Sequence, residues 1–333
     1  MKVRASRPEA PVQVLFVVLP ETLLLDLAGP AEAFRLANQQ LRQAGQPAAF
    51  EMLFAGPRGE ARSSVGLLLA DLRPLPARLD SPTWVVLLGR PGEAGEVVRR
   101  EPPWMLARQW LADVVAPALQ AADTPHRLLT VCVGALLAAD AGLLAGRAVT
   151  THHELLDELA HIAPSAQVHE NRLFVQDGPV WTSAGITAGI DLALQCIAGH
   201  SGEALAAAVA QVMVVFHRRG AADPQLSPLL RHRSHLHPAV QRVQTAVTTE
   251  PSAEWTAERL AEVAHVTPRH LGRLFRAHAG LSPQDFVQAV RLARADDAIA
   301  AGMARQQAAS WAGFTSERQW RRARAARARS GAE

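Results

Sequence analysis

A chain of 333 residues that is 49% hydrophobic and 20% charged can bury more than one sizeable core, which excludes a protein disordered throughout. Its two cysteines, Cys132 and Cys196, supply neither a disulfide framework nor a four-ligand metal site, and they fit a reducing cytoplasm. The net charge of +3 is unevenly spread: residues 231–333 carry 16 Arg against 9 Asp and Glu, whereas residues 1–230 carry 18 Lys and Arg against 22 Asp and Glu, so the C-terminal part is expected to meet a polyanion.

Val12 to Leu19 is an apolar run that predicts a buried first strand. Lys2, Arg4 and Arg7 precede it as in an export signal, but Pro20-Glu21 interrupts the run and Asp26 follows, which favours the strand. No uninterrupted apolar run reaches the roughly 18–20 residues of a membrane helix. Gly29-Pro30 is expected to open a helix through Leu41, with Ala33, Phe34 and Ala37 on its apolar side. Ala48 to Ala55 and Trp84 to Leu88 read as further strands. The loop Gly89-Arg90-Pro91-Gly92 and an amphipathic helix through Trp104, Ala107, Trp110, Leu111 and Val114 come next.

Leu128 to Val131 is a short strand that runs into Cys132-Val133-Gly134 and a small-residue helix. A thiol at such a turn stands at the carboxyl edge of a parallel sheet, where the positive end of the helix and backbone N–H donors favour thiolate. A free cysteine is equally at home as a buried core residue. Alternating strands and helices predict a parallel sheet covered on both faces, with ligand sites beyond the carboxyl ends of the strands.

Arg147 to Thr151 is expected to be a strand ending at His152-His153. Arg172 to Gln176 and Pro179 to Ser183 should form a hairpin about Asp177-Gly178. Ala184-Gly185 leads to a helix carrying Asp191, Leu192, Leu194 and Ile197, and a second helix is expected from Glu203 to about His217. Residues 218–238 are charged and Pro-rich without clear periodicity, as in a linker.

From residue 239 onward only helices are predicted. Leu260, Ala261 and Ala264 line one short helix; Val266-Thr267-Pro268 breaks it; Leu271, Leu274 and Phe275 line the next, with Arg269, His270, Arg273 and Arg276 on its other face. Thr267 suits a helix cap and Pro268 a first turn, so the pair reads as a helix-turn-helix. A longer helix follows Leu281-Ser282-Pro283. A weaker echo of the motif then comes from Ala308-Ala309, Gly313-Phe314, the caps Thr315-Ser316 and an arginine-rich helix with Arg318, Arg321, Arg322, Arg324, Arg327 and Arg329.

Several motifs in their order resemble a known architecture. They are Leu25-Asp26-Leu27-Ala28-Gly29-Pro30, Cys132-Val133-Gly134-Ala135, Gly142-Leu143-Leu144-Ala145-Gly146-Arg147, Thr150-Thr151-His152 and Thr182-Ser183-Ala184-Gly185, then Thr267 to Phe275 and Gly313-Phe314-Thr315-Ser316. Residues 12–217 are similar to the PfpI-like branch of the class-I glutamine-amidotransferase fold, and residues 239–329 to the AraC/XylS DNA-binding domain. The combination resembles GlxA-type AraC-family regulators. Departures are Val133, bulkier than the small or hydroxyl residue expected after the cysteine, and Arg324, where an aromatic residue is usual. The usual glycine-containing turn and Pro-x-x-Tyr-Arg ending after the last recognition helix are also not seen.

The resemblance implies an α/β, parallel-sheet, PfpI/flavodoxin-like sandwich over residues 1–217, a linker over 218–238, and an all-α domain with tandem helix-turn-helix motifs over 239–333. It implies a pocket formed by Asp26, Cys132 and His152, with Val133, Gly134 and Ser183 as further ligand-binding candidates. DNA-binding candidates are Arg269, His270, Arg273, Arg276, Arg318, Gln319, Arg321 and Arg322. The implied function is a cytoplasmic transcription regulator, not an enzyme, without metal or cofactor. Its implied partners are promoter DNA, a small-molecule effector, RNA polymerase and a second copy joined through the N-terminal domain, with no membrane. The alternative is a PfpI-type cysteine-dependent hydratase or amidase-like hydrolase fused to a DNA-binding module.

Overall fold

The computed structural model describes residues 10–215, 219–221, 225, 235, 237–300 and 303–330. Lys2, Arg4, Arg7, the helix end expected at His217, most of the expected linker and the side chains of Arg327 and Arg329 lie outside the described residues. The chain packs as two units, Met1–Gln225 and Leu226–Glu333.

In the first unit the strands are β1 (Val12–Val17), β2 (Phe50–Gly56), β3 (Ala61–Arg62), β4 (Leu68–Leu69), β5 (Arg73–Pro74), β6 (Thr83–Leu87), β7 (Arg127–Val131), β8 (Ala148–Val149), β9 (Gln167–Val168), β10 (Phe174–Asp177) and β11 (Val180–Ser183). Seven form one sheet in the order β10-β11-β7-β6-β1-β2-β5. Its pairings are parallel except at the β10 edge, where the hairpin with β11 is antiparallel. Every residue of β6 is buried, and in β7 only Arg127 is not. Strands this apolar need cover on both faces, as the sequence reading expects.

Helices supply that cover: α1 (Leu24–Gln43), α2 (Pro102–Trp110), α3 (Ala116–Gln120), α4 (Gly134–Asp140), α5 (Leu156–Ile162), α6 (Ala188–Ser201) and α7 (Glu203–Val212). The expected amphipathic helix is interrupted: a π-helical stretch, Leu111–Val115, joins α2 to α3. The expected start of α1 at Gly29-Pro30 is also corrected, since the helix begins at Leu24 and holds Pro30 inside it. Leu23 O accepts from both Asp26 N and Leu27 N, so a first turn closes ahead of the proline, and Asp26 lies in that turn. The missing N–H of Pro30 deprives only one carbonyl of its partner.

The second unit is helical among its described residues: α8 (Pro238–Thr249), α9 (Ala257–Ala264), α10 (Pro268–Ala279), α11 (Pro283–Ala300), α12 (Arg305–Trp311) and α13 (Glu317–Ser330). It has two small cores. The first gathers Val240, Val243, Leu260, Leu271, Phe275 and Phe286; the second gathers Leu292, Ala295, Ala309, Ala312, Phe314 and Trp320. Helix α11 contributes to both. Its Arg291 donates to Pro251 O and Ala253 O at 2.8 Å each, and beside it Gly313 packs so closely that an added carbon would lie 2.6 Å from Ser252 Cα.

Candidate functional site

At the carboxyl end of β7 the backbone turns sharply. Cys132 adopts φ 53°, a left-handed conformation that costs a non-glycine residue free energy unless its surroundings impose it. Here they do. Cys132 N–H lies 3.2 Å from both Ser183 O and Ala184 O, and its carbonyl accepts from Thr151 Oγ1 at 2.8 Å and Ala135 N at 3.2 Å. Gly134 lets the turn press against β6, since a carbon added there would lie 2.4 Å from Leu87 O.

Two glycines on neighbouring segments show what meets the thiol. A carbon on Gly89 would lie 2.4 Å from Asp26 Oδ2 and 2.9 Å from Cys132 Cβ. A carbon on Gly185 would lie 2.5 Å from His152 Cδ2 and 3.5 Å from Cys132 Sγ. The structure therefore brings Asp26, Cys132 and His152 together, although they come from α1, the β7–α4 turn and the segment after β8. Cys132 is 5% exposed, Asp26 is fully buried, and the His152 side chain, 24% exposed, forms the outer wall.

Burial decides the protonation of this cluster. It raises the Asp26 carboxyl to about 6, against the Gly89 N–H, which donates to Oδ2 at 3.0 Å. The Ile186 N–H also favours the carboxylate, without making a hydrogen bond to Oδ1. Burial and the nearby Asp26 charge push the Cys132 thiol up to about 12, with the Val133 N–H acting weakly the other way. The expectation that the helix end would favour thiolate is thus corrected: one N–H donor does not outweigh desolvation and a neighbouring carboxylate. His152 is held below the usual imidazole range by burial and by His153, whose ring centroid is 4.3 Å away, while Glu154 Oε2, 3.5 Å from its Nδ1, pulls the other way. Near neutral pH the cluster is a protonated thiol and a neutral imidazole beside a largely ionised carboxylate.

The remaining pocket candidates have other surroundings. Ser183 is fully buried and donates to Thr130 O at 3.1 Å, so its hydroxyl is used inside the sheet. The Val133 side chain belongs to the core. Gly134 serves the close approach to β6, where a side chain would meet Leu87 O. Sequence reasoning overlooked Gly89 as the contact point between Asp26 and the turn; its signal was a glycine two residues after an apolar strand.

In the second unit, α9 and α10 form a helix-turn-helix. Thr256 Oγ1 caps α9 through Arg259 N (3.2 Å), His265 turns the chain at φ 57°, and Thr267 Oγ1 caps α10 through His270 N (3.3 Å). Leu271, Phe275 and Ala279 are buried, while Arg269, Arg273 and Arg276 are exposed on the opposite side. Arg273 Nη2 lies 3.1 Å from His270 Nδ1. Helices α12 and α13 repeat the arrangement about Gly313, at φ 94°, with Ser316 capping Gln319 N at 3.2 Å.

The cations of α13 are differently engaged. Arg321 pairs with Glu317 at 2.5 Å, and Arg324 stacks over Trp320 at 5.4 Å, at the position where the resemblance led one to expect an aromatic residue. Gln319 Oε1 accepts from Thr315 N and Oγ1 at 2.8 and 3.0 Å. Arg318 and Arg322 remain exposed, with no ion pair among the described residues.

Two family models match this chain: the DJ-1/PfpI family over residues 107–199 and a helix-turn-helix domain over residues 260–329. A helix-turn-helix transcriptional regulator of Pseudomonas aeruginosa, CdhR, is 39% identical over 164 residues, covering 49% of this chain and 48% of its own; the chain thus spans about half the length of that relative. An isonitrile hydratase of Pseudomonas putida is 33% identical over 55% of this chain and 69% of its own. A crystal structure of an AraC family transcriptional regulator from Pseudomonas putida superposes with a TM-score of 0.50 at 17% identity, over 61% of this chain and all of that one, which shows a shared fold. The chain belongs to the DJ-1/PfpI family and joins that fold to a helix-turn-helix domain.

Proposed function

We propose that this protein is a DNA-binding transcription regulator whose first domain, residues 1–217, senses a small polar metabolite beside Cys132. Residues 239–333 bind promoter DNA, and the stretch between them connects the two. The observation that carries the reading is the pair of capped helix-turn-helix units on one chain, each turning an arginine-bearing helix to solvent. Helices of this kind enter successive major grooves, roughly 34 Å apart on one face of the duplex. On this reading the protein works in the cytoplasm and pairs with a second copy through its first domain, placing its helices on two half-sites. RNA polymerase is then the further partner.

The thiol cluster supports sensing over turnover. A nucleophilic cysteine needs an accessible thiolate, whereas Cys132 is buried with its ionisation pushed up to about 12. The second reading, a cysteine-dependent hydratase or hydrolase, is favoured by the convergence of Asp26, Cys132 and His152 and by the likeness to the isonitrile hydratase. One experiment separates the two. Small polar metabolites are screened for a rise in melting temperature of the full chain, since a specific ligand stabilises the folded state. Each hit is then assayed both for its effect on retardation of promoter fragments and for chemical turnover. A hit that shifts DNA binding and is recovered unchanged supports the regulator. A hit consumed by the protein but not by Cys132→Ala overturns it in favour of the enzyme.

A further inference from the structure

The two helix-turn-helix units are built on two small cores strung along α11. Val290 belongs to the first core and Leu292 to the second, and among the described residues no other helix supplies buried side chains to both. Arg291 stands between them. A helix sets the distance between its two ends, but its gentle bending leaves the tilt of one core against the other to whatever else joins them.

Three segments meet at the Arg291 guanidinium. Its Nε and Nη2 donate to Pro251 O and Ala253 O at 2.8 Å each, a two-point grip on the connection between α8 and α9. That connection is itself held: Trp255 Nε1 donates to Glu250 O at 2.9 Å, and Gln284 Nε2 of α11 donates to Trp255 O at 3.0 Å. Gly313, in the turn of the second helix-turn-helix, closes on the same place. A carbon added to it would lie 2.6 Å from Ser252 Cα, 3.0 Å from Arg291 Nε and 3.1 Å from Pro251 O. Burial holds the Arg291 guanidinium below its usual range, a cost that its two carbonyl bonds offset.

We propose that Arg291 is a positioning residue that braces the second helix-turn-helix against the first, so that α10 and α13 reach two successive grooves of one duplex together. Its use on DNA rests on the regulator reading. Such grooves are roughly 34 Å apart, and over that span a tilt of about 6° shifts one helix by roughly 3.4 Å, one step along a strand. With the brace in place, the seating of α10 presents α13 to its phosphates at high effective concentration. Without it only a fraction of molecules hold both helices in the matching arrangement, and apparent affinity falls by that fraction.

The brace is tested first without DNA. Nitroxide labels are attached to the full chain through Glu262→Cys on α9 and Gln306→Cys on α12, both exposed positions, while the buried Cys132 and Cys196 stay unlabelled. Dipolar spectroscopy should give one narrow distance distribution for the parent and a broad one for Arg291→Ala. Arg291→Lys keeps the charge but cannot span both carbonyls, so it should lie between the two, and it serves if the alanine variant folds poorly. An unchanged distribution in both variants overturns the brace.

The role on DNA is read by anisotropy against a candidate promoter duplex at several salt concentrations. Arg291→Ala should bind about tenfold more weakly and with a flatter salt dependence although Arg318 and Arg322 are intact, because α13 no longer reaches its phosphates. Adding Arg322→Ala should then cost little more, whereas independent losses would multiply. Parental affinity and salt dependence in Arg291→Ala, or losses that multiply, overturn the positioning role. A parent chain that binds no duplex overturns the regulator reading instead; a broad distribution in Arg291→Ala would then keep the brace and remove its use on DNA.

Discussion

At Asp26 the fold accepts an unfavourable charge. The carboxyl is fully buried beside the Cys132 turn, and its folded value of about 6 lies above the ordinary 3.8. The folded state therefore binds this proton more tightly than the unfolded chain does. The associated stabilisation is complete below about pH 4 and is lost as the pH rises through 6. A difference of that size corresponds to a ceiling of about 3 kcal/mol at neutral pH. Asp26→Asn keeps an oxygen for the Gly89 N–H and removes the charge. Its melting temperature should exceed that of the parent above pH 6, and the advantage should fade towards pH 4. Parallel melting curves for the two proteins from pH 4 to 8 would contradict this account. Asp26, Cys132 and His152 were legible as a set because their flanking motifs occur in order. The ionisation state was not, because it depends on how much protein closes over the three groups, and a motif carries no record of desolvation.

The elements differ in how well they support their exposed side chains. Helix α10 is anchored by Leu271, Phe275 and Ala279 in the larger core of the second unit, whereas α13 rests on Trp320 and the half-buried Ala323. Arg321, Arg324 and Gln319 of α13 are already engaged within the protein. On the proposed reading α10 reads bases and α13 mainly holds phosphates through Arg318 and Arg322. Arg273→Ala should then cost about 1–3 kcal/mol at the correct site and relax base preference, as loss of a guanine contact does. Arg322→Ala should weaken correct and scrambled duplexes about equally and flatten the salt dependence. Titration of both duplexes at two salt concentrations checks this, and loss of sequence preference in Arg322→Ala alone would assign the reading helix wrongly. The caps at Thr267 and Ser316 were legible because capping is local chemistry. The π-helical stretch after Trp110 and the two-residue strands β3, β4 and β5 were not, since so few residues carry no periodicity.

For the whole molecule, alternating apolar strands and helices followed by an all-helical, arginine-rich end were enough to read a parallel-sheet α/β fold with an all-helical region after it. What escaped was the attachment of Arg219 to Asp191 and of Gln225 to Thr150 and Thr151. Both are single polar residues in a Pro-rich stretch without period, and their partners lie 28 to 75 positions away. Contacts of that range are set by the packed first domain and leave no local pattern in the sequence. Among the described residues no helix is long and apolar enough to cross a membrane, and no group of three His, Cys, Asp or Glu is placed to hold a metal ion. The central claim is that the basic helices of the second unit bind duplex DNA. Its most direct test is an anisotropy titration of the full chain against a fluorescent duplex from a candidate promoter, repeated from about 50 to 200 mM salt, the interval over which several phosphate contacts lower affinity by about a thousandfold or more. The account predicts saturable binding that weakens steeply with salt and is lost when Arg269, Arg273, Arg318 and Arg322 are all replaced by alanine. Binding that is absent at the lowest salt, or insensitive to both salt and these four substitutions, would contradict it.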